Sequence, residues 1–316
     1  MTGECTAKKA ATISKGKAEN TITILIFITA SASLIFSHDI IKKSVMNSVK
    51  MCISTILPSI FPFMILSDYL LGNIDRNDSS KLGGIFSKCF NISSAAIWPF
   101  IIGNVCGFPL GAKTSIDLYN RGAITKTECE RLIGFANNPS LAFIISGVGM
   151  GMRHSLHDGV ILYLTVIISS CIIGIITKGK TRQCLNSNEI FEQNYSFVDS
   201  IKRSIFAVIS VSSYIIFFSM IADVIISHIN LQPLSLFLAS MLEIGTATNL
   251  ISKSSIPEFF GLPLTAFALG FSGLSVYLQT LSFAPKDINK FKCFIMKLLQ
   301  GVIAFIIALI YSIIVM

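Results

Sequence analysis

Charge-poor apolar runs recur along the whole chain, and most are long enough, at about 20 residues, to cross a hydrocarbon core about 30 Å thick as a helix. They fall at about 21 to 37, 45 to 72, 92 to 112, 132 to 151, 157 to 177, 201 to 228, 233 to 252, 262 to 284 and 294 to 315. Only 13% of the 316 residues are charged, against about 25% in soluble domains. The runs therefore predict an all-α, polytopic transmembrane bundle whose first partner is the lipid bilayer. The formal charge of +8 does not indicate nucleic acid, which needs Lys and Arg gathered on one folded surface; here they sit between apolar runs. The eight Cys are scattered without a CxxC or Cys/His cluster, and read as small packing residues. No cofactor or metal is implied.

Lys8, Lys9, Lys15 and Lys17 precede the first run, and Ala30-Ser31-Ala32 imitates a signal-peptidase site. The charged region is long for a signal peptide, so an uncleaved first helix is expected.

Two runs carry turn formers at mid-depth: Gly103, Asn104, Gly107, Pro109 and Gly111 in 92 to 112, and Glu243, Gly245 and Asn249 in 233 to 252. Non-helical backbone in a membrane needs protein or a wet cavity to satisfy it, so both runs are expected to be re-entrant hairpins or broken helices. Gly103, Gly107 and Gly111 are spaced by four, which also fits close helix packing. An internal comparison aligns Ser48 to Ser67 with Ser200 to Ser219, the Gly107/Gly111 hairpin with that at Gly245/Asn249, and Phe135 to Ser140 with Phe267 to Ser272. Three matches in one order predict two repeats.

With both hairpins re-entrant, seven crossings remain and the repeats point in opposite directions. A cytoplasmic N-terminus then places 20 of the 25 Lys and Arg inside, leaving Lys42, Lys43, Lys50, Arg153 and Lys253 outside, as the positive-inside rule requires. The C-terminus is expected outside. The divisions are a cytoplasmic tail (1–20), a first helix with repeat one (21–177), a cytoplasmic loop (178–199) and inverted repeat two (200–316).

Broken helices in inverted repeats are the usual place for a transporter to hold solute. Glu243, inside an apolar run, is the sharpest signal, because a mid-depth acid costs free energy unless it faces a cavity or partner. Its alternative is a structural acid hydrogen-bonded to backbone. The candidate substrate-binding set is Glu243, Gly107, Gly111, Asn137, Asn138, Thr246, Asn249 and Ser272; capping of helix ends is the competing reading for its Asn and Thr members. His154 and His157 could pair on a metal, but no third ligand lies nearby. Gly270-Phe271-Ser272-Gly273 fits the GxSG of rhomboid-type intramembrane proteases, yet no His follows residue 228 to activate the serine. No enzyme is expected.

The run Leu57-Pro58-Ser59-Ile60-Phe61-Pro62-Phe63, then Gly107-Phe108-Pro109-Leu110-Gly111-Ala112-Lys113 with Asp117-Leu118-Tyr119, then Phe135-Ala136-Asn137-Asn138, and finally Gly270 to Val276 with Gln279, resemble the YlbJ family of sporulation integral membrane proteins. The resemblance spans about residues 45 to 285. It implies a nucleoside-recognition or Gate domain, a role in spore formation, and transport of a small polar solute, nucleoside-like or an ion, with other sporulation membrane proteins as possible partners. Cys106 and Tyr277 depart from the family pattern. A non-transporting scaffold for spore cortex or coat assembly is the alternative.

Overall fold

The computed structural model describes residues 37–73, 81–179 and 196–315, and every regular element among them is helical. The tail at 1–20, almost all of the expected crossing at 21 to 37 and most of the 178–199 loop lie outside the described residues.

The first half begins with α1 (His38–Met51), which passes through a widened π-type turn at Cys52–Ile56 into α2 (Leu57–Asn73). Pro58 and Pro62 lack the amide donors a regular ladder needs, and the widened turn lies just ahead of them. Next come α3 (Lys81–Phe90), a short turn at Ser94–Ala96, α4 (Ile97–Val105) and α5 (Leu110–Asn120). Helix α6 (Lys126–Phe135) starts at a capping box in which Thr125 and Glu128 satisfy each other's backbone N–H groups. It unwinds after Phe135, continues as a π-type helix at Phe143–Met152, and α7 (Leu156–Ile176) closes the half.

The second half has long α8 (Phe197–Ser227), paired short helices α9 (Gln232–Leu242) and α10 (Ile244–Lys253), broken α11 (Glu258–Phe271) and α12 (Gly273–Phe283), and long α13 (Lys290–Val315). Both short pairs fold back, α4 on α5 and α9 on α10. Phe135 and Phe271 each end a helix at a break. Each hairpin tip rests on the break of its own half. A Cβ on Gly107 would meet Ser140 N at 2.5 Å, and one on Gly273 would meet Leu242 O at 3.0 Å. Both glycines have positive φ, 86° and 77°, which side chains disfavour.

Among the described residues, four helices have the length and apolarity to cross a membrane: Leu156–Ile176, Phe197–Ser227, Glu258–Phe283 taken across its break, and Lys290–Val315. A pair bent by 96°, Gly83–Phe90 with Ser94–Val105, would make a fifth. Seven crossings were expected. Of the other three, 21 to 37 lies almost wholly outside the described residues, 45 to 72 is divided by the π-type turn, and 132 to 151 is split by the unwinding after Phe135.

Polar contacts sort the helix ends into two groups. One joins Asp68 with Lys113 (2.7 Å) and Arg203 (2.8 Å), Glu130 with Lys292 (3.0 Å), Asn91 with Gly179 (2.6 Å), and Tyr119 with Asp287 (2.5 Å). The other joins Arg153 with Asp158 (2.9 Å) and Glu258, Ser255 with Gln232 (3.0 Å), and Tyr311 with His157 (3.2 Å).

The spacing of Gly103, Gly107 and Gly111 serves both purposes considered for it. Gly107 makes the break, whereas Gly103 and Gly111 let α4 and α5 close on each other and on the Ala136 carbonyl, onto which a Cβ at either would fall. Gly103→Ala and Gly111→Ala should each lower stability by about 1–3 kcal/mol through overpacking. Gly84→Ala, where a Cβ meets nothing within 4 Å, should cause no loss. Thermal unfolding of the detergent-extracted protein measures all three.

Candidate functional site

Glu243 takes an extended backbone (φ −149°, ψ 126°) between α9 and α10, so the chain reverses there. Its carboxylate accepts the N–H of Gly245 (2.9 Å) and of Thr246 (2.6 Å), and lies 3.5 Å from the Ser219 hydroxyl. Thr246 in turn donates its hydroxyl to Ser219 Oγ (3.0 Å). The acid thus caps α10, where unpaired amides concentrate partial positive charge. It is 1% exposed.

The same carboxylate lines a small cavity of about 30 Å³, enough for a water or two. The two halves contribute matching parts. Cys106, Gly107 and Phe108 come from one hairpin tip, and Glu243, Ile244 and Gly245 from the other. Ser140 and Phe143 come from the first break and the turn after it, Val276 and Gln279 follow the second, while Ile56 and Ile60 come from the π-type turn and α2, and Val211 and Ile215 from α8. The walls are largely aliphatic and aromatic, with Glu243, Ser140 and Gln279 as the polar side chains. Gln279 is 1% exposed, and its Nε2 has no hydrogen-bond partner among the described residues. A buried amide donor without a partner is costly, so a donor in search of an acceptor and a carboxylate share one small space.

A larger cleft of about 610 Å³ lies between α1 and α10, lined among others by Lys43, Asn47, Asp223, Thr246, Asn249 and Lys253. That volume falls within the range of small-molecule sites, about 300–1,000 Å³. Gly245 borders both spaces, so the first turn of α10 separates the cleft from the cavity.

Of the expected site residues, Glu243 and Gly107 border the cavity, and Thr246 and Asn249 border the cleft. Gly111 lies in the helix contact against Ala136. Asn137 donates to Thr280 Oγ1 (2.9 Å) and accepts the Ala112 N–H (3.3 Å), so it ties the first break to α12 and α5. Asn138 donates to Asn104 Oδ1 (2.9 Å) and Phe135 O (2.9 Å). Ser272 has φ 70° at the second break and donates to Leu269 O (3.1 Å).

Sequence reasoning gave Gln279 no role beyond membership of a motif, and Ser140 none beyond its place before a break. It also counted Lys297 among the inner-side charges. The structure corrects that: Lys297 is 5% exposed and hydrogen-bonded inside the bundle. Its position within the last apolar run was the available signal.

Comparison with known proteins finds similarity to the sporulation integral membrane protein YlbJ of Bacillus subtilis (strain 168), 25% identical over 90% of this chain and 81% of the relative. The comparison supports a YlbJ-like family. This chain is accordingly a homologue of a sporulation integral membrane protein, with membrane-spanning helices. No family model matches, and no solved structure matches.

Glu243→Leu should destabilise the protein by about 1–3 kcal/mol, because the Gly245 and Thr246 amides lose their acceptor in a buried place. Glu243→Gln keeps one accepting oxygen and should lose about 1 kcal/mol. Equal unfolding midpoints for wild type and the Leu variant would contradict the capping role.

Proposed function

We propose that this YlbJ-like protein is a permease for a small polar solute, nucleoside-like or an ion, built from two inverted Gate-type repeats. The observation that carries this is the convergence of both hairpin tips, both helix breaks, α2 and α8 on one cavity that holds a buried carboxylate and an unpartnered amide. Broken helices present backbone polar groups at mid-depth, which suits solute binding there. In this reading the cavity is an occluded centre and the Lys43/Lys253 cleft is its entrance. The α10 turn moves to connect them. A solute offering a donor or positive charge to Glu243 and an acceptor to Gln279 fits the two side chains.

The grouping of helix ends supports the inverted arrangement. The hairpin of α4 and α5 begins and ends near Glu128 and Asp287 (Ser93 bonds Glu128 at 2.6 Å), whereas Gln232 and Ser255, at the two ends of the α9–α10 hairpin, bond each other in the other group. Both hairpins are then re-entrant, from opposite sides. The positive-inside rule places the Lys113/Lys292 group in the cytoplasm, with an inside N-terminus and an outside C-terminus. Single cysteines at Lys178 and Lys253 in a Cys-free background should be labelled from inside and outside respectively. Labelling of both from one side would remove the inverted-repeat reading.

A scaffold role is favoured by one fact, that the Glu243 carboxylate has protein partners for its own sake as a cap. Gln279 separates the two readings. Gln279→Leu removes an unpartnered buried amide, so stability should be unchanged or slightly higher. A permease should nevertheless lose at least about tenfold in solute uptake by proteoliposomes, equivalent to about 1.4 kcal/mol of binding, together with spore heat resistance. Uptake is surveyed across nucleosides, small carboxylates and metal ions. Absence of uptake for all of them in wild type, with full heat resistance in the Leu variant, leaves the scaffold.

A further inference from the structure

Lys297 lies in the apolar helix α13, 5% exposed, and none of the ion pairs among the described residues includes it. A charge in that position is costly without compensation. Its Nζ is met instead by three oxygens: Asn137 O at 2.8 Å, Gln300 Oε1 at 2.9 Å and Asn138 Oδ1 at 3.1 Å. An ammonium carries three donors and no acceptor, so the cage uses all of them.

The cage is held from behind. Asn138 spends its NH2 on Asn104 Oδ1 and Phe135 O, and Gln300 spends its own on Asn138 Oδ1 (2.7 Å). Both amides therefore turn oxygen inward. The site also lies just beyond the C-terminal end of α6, where helix carbonyls carry partial negative charge. An oxygen-only cage at an unwound helix end inside a membrane is the general form of a monovalent-cation site.

We propose that the Lys297 ammonium is a tethered cation, filling an oxygen cage at the first helix break that would otherwise take a free monovalent cation of ammonium size. The oxygens at the break are then satisfied without sodium or potassium from solution. This does not depend on whether the protein transports anything.

The test uses the full chain in detergent, with unfolding midpoints measured in sodium, potassium, ammonium, methylammonium and choline chloride at equal ionic strength. Wild type should show the same midpoint in all five. Lys297→Ala opens the cage: its midpoint should fall in choline and recover by several degrees, saturably, with at least one of the smaller cations. Lys297→Met fills the space without charge, and should be lowered with no such recovery. A Lys297→Ala midpoint that is identical in every salt, or a wild type that responds as strongly as the variant, overturns the proposal. Should Lys297→Ala fail to fold in any salt, Lys297→Gln decides. It keeps amide donors without the charge, and should be clearly destabilised; a wild-type midpoint for it would show that the cage needs donors and no cation, and the proposal falls.

Discussion

A helix that breaks away from water leaves amides and carbonyls that something else must satisfy, and this constraint organises the whole bundle. Among the described residues each half breaks its chain at a hairpin tip and in the following helix, and the partners for the freed groups come either from the next turn or from distant segments. Glu243 takes two amides of α10. Lys297, from the last helix, takes the Asn137 carbonyl more than 150 residues away. Arg131 does the same at the periphery, donating to Phe90 O (2.6 Å), Asn91 O (3.1 Å) and Gly174 O (3.1 Å), so that one guanidinium closes the ends of α3 and α7. Positive groups at helix C-terminal ends and a negative one at an N-terminus follow the direction of the helix dipole.

Close packing makes these long reaches possible. Small residues at the contacts bring backbones near enough for side chains to bridge them: Gly103 and Gly111 against Ala136, and Gly270 against Gly301 and Ala304 between α11 and α13. The cavity is what remains where two tips and two breaks meet without such interdigitation. Its position follows from the fold, since both hairpin tips and both breaks approach the same place.

The halves nevertheless differ in chemistry. The second hairpin tip carries the acid, whereas the first offers Cys106, Gly107 and Phe108. The first break is long and hydrogen-bonded by amides and an ammonium; the second is one left-handed residue, Ser272, followed by Gly273. A substrate path through the cavity would therefore meet an acceptor on one side and mainly apolar surface on the other. That asymmetry gives the proposed site a direction as well as a composition.

Run length, the sparing of charge and the glycines and prolines at mid-depth made the helical class, the hairpins and both breaks legible from the sequence alone, because each is a local property of neighbouring residues. Glu243 stood out for the same reason, as an acid in an apolar run. Its capping of α10 is local too, yet that it also borders a cavity depends on α2, α8 and the Gly107 tip arriving there. Asn137 and Asn138 were visible as polar residues at a break, but that they hold α5, α12 and α13 together is a matter of contacts across 25 to 160 residues. Lys297 was counted among the inner-side charges because sequence records how far a residue lies from a helix end and not which oxygens another half of the chain brings to meet it. Tertiary structure alone decided that, since only close packing can supply a buried ammonium with three acceptors.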